Sequence, residues 1–145
     1  MPYSTHHISF LRHLRMLKLR NCSSLEALPT VLKDLPKLEV LDIGRTSLPS
    51  MVESSFEGMP SLRVLDFSNG AAKNLTQLSV KYCRSLSRLV GLEELSKLTA
   101  LDLSRTKIEW LPHQVFNLPG LKQLNLLGME HLKMMKWNQI ERLPE

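Results

Sequence analysis

The chain has 145 residues, of which 43% are hydrophobic and 6% aromatic, a composition that favours one folded domain over a disordered segment. The net charge of +5 includes one dense basic group, from Arg12 to Arg20, which lacks the stacking aromatics of a nucleic-acid site and is interpreted as solvated charge. No apolar run could span a membrane, and two cysteines are too few for a disulfide-stapled secreted scaffold. We therefore expect a cytoplasmic protein that binds neither membranes nor nucleic acid.

Histidines gather loosely near the N-terminus, at His6, His7 and His13. A zinc site would need further ligands at set spacings, and none lies near these residues. No Ser/His/Asp, Cys/His or paired-carboxylate arrangement can be argued from the rest of the chain. We expect no enzyme activity, no metal or other cofactor, and no small-molecule substrate.

A nine-residue template, Leu-x-x-Leu-x-Leu-x-x-(Cys/Thr), recurs six times along the chain. Its copies occupy residues 14–22, 38–46, 62–70, 75–83, 98–106 and 121–129, with Gly70 and Met129 in the last place of the third and sixth copies. The start-to-start spacings are 24, 24, 13, 23 and 23 residues. Four of these five spacings are typical of leucine-rich repeats.

The alternation of leucines within each copy predicts a short strand with one buried face. Parallel strands need a crossover of about a dozen residues, which the remainder of each repeat provides. The crossovers contain leucine and proline, as in Leu25-x-x-Leu28-Pro29, Leu48-Pro49, Leu86-x-x-Leu89 and Ile108-x-x-Leu111-Pro112. Since proline suits turns better than strand interiors, the crossovers are predicted to be loops or single helical turns.

These patterns predict an α/β repeat solenoid that forms a single domain over residues 1–145. The expected shape is a right-handed leucine-rich-repeat arc, with a short-stranded parallel sheet on the concave side and loops, 3-10 turns or short helices on the convex side. Neighbouring coils would bury each other's leucines in one continuous core.

The third repeat is truncated, because its strand and the next are only 13 residues apart around Gly70–Asn74. A full parallel coil cannot close in that length. Either the solenoid breaks here or the two segments pair irregularly, and a deletion is the simplest explanation.

The pattern Leu-x-x-Leu-x-Leu-x-x-Cys-x-x-Leu-x-x-Leu-Pro at Leu14–Pro29 resembles the repeats of plant nucleotide-binding leucine-rich-repeat disease resistance proteins. Met59–Ser68 and Leu98–Pro112 are similar, with Thr in place of Cys in the latter. The resemblance implies an intracellular recognition module for a pathogen effector or a host protein, which also contacts a nucleotide-binding domain. There is no phosphate-binding loop, so the chain would be a receptor fragment that lacks this domain.

Two alternatives remain open beside the receptor interpretation. The first is a generic intracellular leucine-rich-repeat signalling scaffold unrelated to immunity. The second is an enzyme whose repeats select substrate, which would require a catalytic domain outside this sequence.

Residues between the inward leucines would face the concave side and meet a partner. The acidic residues among them could bind a basic ligand, or could simply be solvated on a polar sheet face. Arg and Tyr are enriched at interface hot spots. The candidate partner-binding residues are Lys18, Arg20, Asp42, Asp66, Lys81, Tyr82, Asp102 and Asn125.

Cys22 and Cys83 occupy the same template position, where a small buried side chain is expected. In a regular stack they lie three coils apart, about 14 Å at the usual strand spacing. This exceeds the reach of a disulfide, so we predict two free thiols.

Overall fold

A computed structural model describes residues 11–25, 32, 34–46, 56–70, 73–111 and 113–133 of the chain. The predicted crossover positions at 28–29 and 48–50, His6, His7, Pro112 and the stretch from 134 to 145 lie outside these residues. Within them the chain winds as a solenoid of parallel three-residue strands. The seven strands are β1 (Met16–Lys18), β2 (Val40–Asp42), β3 (Val64–Asp66), β4 (Gln77–Ser79), β5 (Arg88–Val90), β6 (Ala100–Asp102) and β7 (Gln123–Asn125).

Two 3-10 helices, Leu92–Glu94 and His113–Asn117, lie in the crossovers, and the described residues contain no α-helix. No helix among them is long and apolar enough to cross a membrane. The predicted solenoid of parallel strands is therefore confirmed. Its strands are divided between two sheets, whereas the sequence analysis placed them in one.

The first sheet has the order β1-β2-β3-β5 and the second sheet has the order β4-β6-β7. All neighbouring strands are parallel, and the central leucine of each strand is paired with that of the next, as in Leu41 with Leu65 and Leu78 with Leu101. The inward side chains of both sheets belong to one buried cluster. The two sheets are thus different sides of a single leucine core.

The short third repeat produces this division. β3 does not pair with β4, which follows it after 13 residues; it pairs with β5, in the register Leu65 to Leu89. Thirteen residues are about half of the 24-residue coil, so the template arrives on another side of the core and begins the second sheet there. The solenoid therefore neither breaks nor pairs irregularly at this point; it continues with the template shifted by half a coil.

The segment Leu86-x-x-Leu89 was predicted to be a crossover, and this was wrong. Its last residue lies in β5, which extends the first sheet beyond β3. The backbone of Gly91 passes so close to the previous coil that a Cβ there would lie 2.9 Å from both Cα and N of Ser68. Glu94 then accepts a hydrogen bond from the Gly70 backbone N–H at 3.1 Å, which ties the shortened repeat to the following coil.

The last template position is buried in four of the copies, at Thr46, Cys83, Thr106 and Met129. The two threonines donate their hydroxyls to the backbone carbonyls of Ile43 and Leu103, so a buried polar group is satisfied in each case.

Cys83 donates a hydrogen bond to the Phe56 carbonyl. Cys22 is exposed, which corrects the expectation that both thiols are buried. The crossover residues 56–59 cover Cys83, and no described segment covers Cys22 in the same way. The two thiols are unpaired.

We expect Cys22 to react with DTNB under native conditions and Cys83 to react only on unfolding. Burial raises the pKa of the Cys83 thiol to about 11, so almost no thiolate is present at pH 8, and the thiolate is the reactive form. The measurement is the number of equivalents released before and after addition of denaturant. Two fast equivalents from the native protein would contradict this assignment.

We expect Gly91→Ala to destabilise the protein by at least about 2 kcal/mol, because a strained left-handed backbone is combined with a backbone collision. Gly58→Ala is the matched control: Gly58 also has a positive φ of 70°, but a Cβ there would meet nothing within 4 Å. The control should cost about 1 kcal/mol. Chemical denaturation measures both, and equal losses would show that the close approach at Gly91 has no energetic effect.

Candidate functional site

The eight candidate residues do not form one surface. Lys18, Arg20, Asp42 and Asp66 lie in or just after strands of the first sheet. Lys81, Tyr82, Asp102 and Asn125 belong to the second sheet and the turns that follow its strands. The single concave column expected from the sequence is therefore split into two groups, because the half-coil shift moves every template after the third to another side of the core.

A short polar side chain ends most of the strands by accepting the backbone N–H two residues further on. Asp42 accepts from Gly44, Asp66 from Ser68, Asp102 from Ser104 and Asn125 from Leu127, at 2.9–3.0 Å. These are Asx turns, in which the side chain replaces a backbone acceptor. The acids of the column thus have a structural role that the sequence analysis overlooked, in addition to any role in binding.

The eighth residue of the template, in the turn after each strand, has a left-handed backbone in all six copies. The φ values are 68° at Asn21, 55° at Arg45, 60° at Asn69, 63° at Tyr82, 56° at Arg105 and 67° at Gly128. This conformation is ordinary for Gly and Asn but costs about 1–2 kcal/mol for Arg and Tyr. Five of these six residues, all but Gly128, carry a side chain, and all five are exposed.

On the first sheet, Arg20 bridges two coils. Its Nε lies 3.0 Å from Asp42 Oδ2 and its Nη2 lies 3.1 Å from Asp66 Oδ2. The guanidinium lies over Gly44, where a Cβ would come within 2.6 Å of the Arg20 Cζ. The side chain of Arg20 is thus held between two carboxylates and above a residue without a side chain.

The Asp42 carboxyl is affected by opposing influences. Partial burial alone would raise its pKa, but the hydrogen bonds from Arg20 and the Gly44 N–H outweigh this, and the charges of Arg20 and Lys18 act in the same direction. The net result is a lowered pKa for Asp42. The pKa of Arg20 is raised, chiefly by its hydrogen bond to Asp42. Both groups are therefore charged at neutral pH.

On the second sheet, Arg105 lies one template position later than Arg20 and has a different environment. The Arg105 guanidinium lies over the ring of Tyr82, with Cζ 5.7 Å from the ring centroid. A Cβ at Gly128, in the next coil, would lie 3.0 Å from Arg105 Cγ. Tyr82 was selected from the sequence by its residue type, and Arg105 was missed. The template position that the two residues share in neighbouring coils of the second sheet would have placed Arg105 beside Tyr82.

Exposed apolar groups accompany this arginine. Tyr82 is 46% exposed and Leu127 is 66% exposed. The backbone N–H of Tyr82 donates to Ser104 and that of Arg105 donates to Leu127, so the turns of three coils are joined side by side. Among the described residues no three His, Cys, Asp or Glu side chains form a group that could hold a metal ion. The arrangement suits contact with another molecule through charge and apolar surface.

Comparison with known proteins is consistent with this geometry. Residues 12–70 match the family described as leucine rich repeat. The parallel solenoid and leucine core of the described residues have the fold of a leucine-rich-repeat domain, the class of protein that this match indicates.

Within that class, the chain is similar to plant disease resistance proteins, as its motifs predicted. It is 31% identical to TMV resistance protein N of Nicotiana glutinosa over 92% of the chain and 12% of that protein. Three disease resistance or resistance-like proteins of Arabidopsis thaliana are 30–31% identical over 85–93% of the chain. The chain spans only 10–14% of the length of its first curated relatives.

Similarity also extends beyond plants. The human volume-regulated anion channel subunit LRRC8A is 28% identical over 94% of the chain and 18% of that protein. Among solved structures, the leucine-rich repeat domain of the type III effector XopL aligns with a TM-score of 0.48 and 22% identity, over 86% of the chain and 48% of that domain.

We expect Arg20→Ala to raise the pKa of Asp42, because the variant loses a hydrogen bond and a neighbouring positive charge while the partial burial remains. The lowered pKa of Asp42 in the folded state stabilises the protein above the unfolded pKa, near 4, and this contribution is lost as the pH falls through the folded value. Arg20→Ala should therefore show a smaller loss of stability on acidification than the wild type. Carboxyl NMR titration and denaturation between about pH 6 and pH 3 measure the two effects.

Gly44→Ala tests the same arrangement without removing a charge. Gly44 has no left-handed φ, so alanine is compatible with the backbone, but its Cβ would displace the Arg20 guanidinium. The pKa of Asp42 should then rise in this variant as well. An unchanged Asp42 titration in both variants would show that Arg20 does not control this carboxyl.

Proposed function

We propose that this chain is the protein-recognition part of a plant disease resistance receptor that acts in defence signalling. The observation that carries the proposal is its similarity to several plant disease resistance proteins over most of its length. The chain covers a small part of those proteins, which supports a fragment that works together with other domains, including a nucleotide-binding domain. Its protein ligand would be a pathogen effector or a modified host protein in the cytoplasm.

The mechanism is binding by a preformed surface, without catalysis or cofactor. The strands are fixed by the leucine core, and the turns after them are held by the Asx hydrogen bonds. The backbone that carries the outward side chains therefore needs little further ordering when a ligand binds. A smaller entropy cost of ordering favours affinity.

A generic leucine-rich-repeat scaffold outside immunity is the second candidate. The observation that favours it is the similarity to the human channel subunit, which extends over as much of the chain as the similarity to plant proteins. A nucleotide-binding exon adjoining this sequence in the gene would support the receptor, and a complete free-standing transcript would support the scaffold.

We expect the chain to co-purify with the nucleotide-binding domain of a plant disease resistance protein. Leu65→Asp is the matched control, because Leu65 is fully buried in the core and a carboxylate there abolishes the fold. Wild-type chain with a folded circular dichroism spectrum should capture the domain, and Leu65→Asp should not. Failure of the folded wild type to capture it would count against the receptor and leave the scaffold.

A further inference from the structure

We propose that the turn surface formed by Tyr82, Arg105 and Leu127 on the second sheet is a docking site for an acidic segment of a protein ligand. This inference rests on the proposed function, since it identifies which of the two sheets meets the ligand and what chemistry the ligand carries. Binding of an acidic segment requires that the Arg105 guanidinium be free to donate hydrogen bonds.

The contacts that hold Arg105 in the described part of the chain do not use its side-chain hydrogen-bond donors. The Tyr82 ring lies on one side, 5.7 Å from Cζ, and Gly128 provides space for the aliphatic part of the side chain on the other. A cation above an aromatic ring is attracted by the ring quadrupole, and this attraction does not occupy the N–H groups. The five donors of the guanidinium fork therefore remain directed at solvent or a ligand.

Arg20 and Arg105 differ in whether carboxylates of the described residues compensate their charge. Arg20 donates to two carboxylates of its own chain, so its charge is already compensated. Within the described ranges, no carboxylate lies at ion-pair distance from Arg105. The acid in the adjoining strand, Asp102, is already engaged: Ser104 donates to its Oδ1 and Asn125 to its Oδ2. Since none of the described side chains supplies an acceptor, the Arg105 guanidinium is open to a carboxylate from another molecule.

The surroundings indicate the kind of molecule. Lys81 precedes Tyr82 in the sequence and adds a second positively charged side chain to the same turn. Tyr82 and Leu127 both have exposed side chains, and they lie in the coils on either side of the coil that carries Arg105. An Arg fork binds a carboxylate through two parallel hydrogen bonds, and Tyr and Arg are enriched at binding hot spots. A segment that combines Asp or Glu with apolar side chains matches this surface in both charge and polarity.

Arg45 occupies the same template position on the first sheet and lacks these features. The residues at this position in the coils on either side are Asn21 and Asn69, so neither neighbouring turn offers Arg45 an aromatic ring. It therefore provides a matched comparison: the same residue, the same left-handed turn and the same charge, without the platform.

The test uses the full chain and three fluorescein-labelled probes: a peptide of alternating glutamate and leucine, the same peptide with glutamine, and poly-uridine RNA. We expect the glutamate peptide to bind at least about tenfold more tightly than the glutamine peptide, since an ionised partner strengthens the hydrogen bonds from arginine. Fluorescence anisotropy at physiological salt gives each Kd.

Asparagine is the substitution of choice because the chain itself uses it at this turn position, as Asn21 and Asn69. Arg105→Asn should weaken binding of the glutamate peptide about tenfold, and Tyr82→Asn about threefold through loss of the cation-π contact. Arg45→Asn should bind like the wild type. Unchanged thermal unfolding shows that each variant is folded.

Two results would overturn the inference. An equal loss of affinity in Arg45→Asn would mean that only the general positive charge attracts the peptide. RNA binding that is tighter than peptide binding and depends on Arg105 would identify a phosphate ligand in place of a protein.

The outcome is separable from that of the proposed function. If the peptide does not bind but the nucleotide-binding domain is captured, the docking inference fails and the receptor function stands. If the peptide binds as expected and the domain is not captured, the docking inference stands and the receptor function fails.

Discussion

Each coil of this solenoid places leucines where the next coil can cover them, and the rest of the molecule depends on this lateral burial. A three-residue strand is too short to be stable alone, and a single coil cannot enclose its own apolar face. The core leucines are fully buried in the middle of the described solenoid, at positions such as Leu41 and Leu65, and only partly buried in its first coil, at Leu17 and Leu19. The backbone is thereby fixed at a regular spacing, and polar residues outside the core are free to vary.

The half-coil shift shows how much irregularity such a core accepts. What the core requires is an apolar side chain at each inward position, and this requirement is met on either side of the shift by Leu65, Leu78 and Leu89. The template thus determines which side chains are buried, but it does not determine on which side of the solenoid the outward residues lie. Shortening the repeat by about half a coil leaves burial continuous and changes only which side of the solenoid carries the later templates.

The sequence was sufficient for the repeats, because alternation of leucines is a local signal that a strand converts directly into a buried face. It was insufficient for β5. Leu86-x-x-Leu89 has the same spacing as the crossovers, so its pattern alone does not predict a strand. Its last residue lies in a strand because β3 is left unpaired by β4, which follows after only 13 residues, and pairs with β5. The sheet assignment of every later residue follows from that single pairing.

Prediction of the site was limited for a related reason. Tyr82 could be chosen by residue type, but its relation to Arg105 and Gly128 depends on three turns lying in register across separate coils. The turn hydrogen bonds of Asp42 and Asp102 are equally local and equally regular, yet an acid in a column of outward residues gives no indication of which of its oxygens is already occupied.

The division of the outward residues between two sheets has a consequence for how many molecules the solenoid can hold. The Arg20 and Arg105 groups belong to different sheets, so a molecule bound at one group would leave the other uncovered. Simultaneous occupancy would make the chain a bridge between two proteins, with an effective concentration of each near the other that neither surface could produce alone.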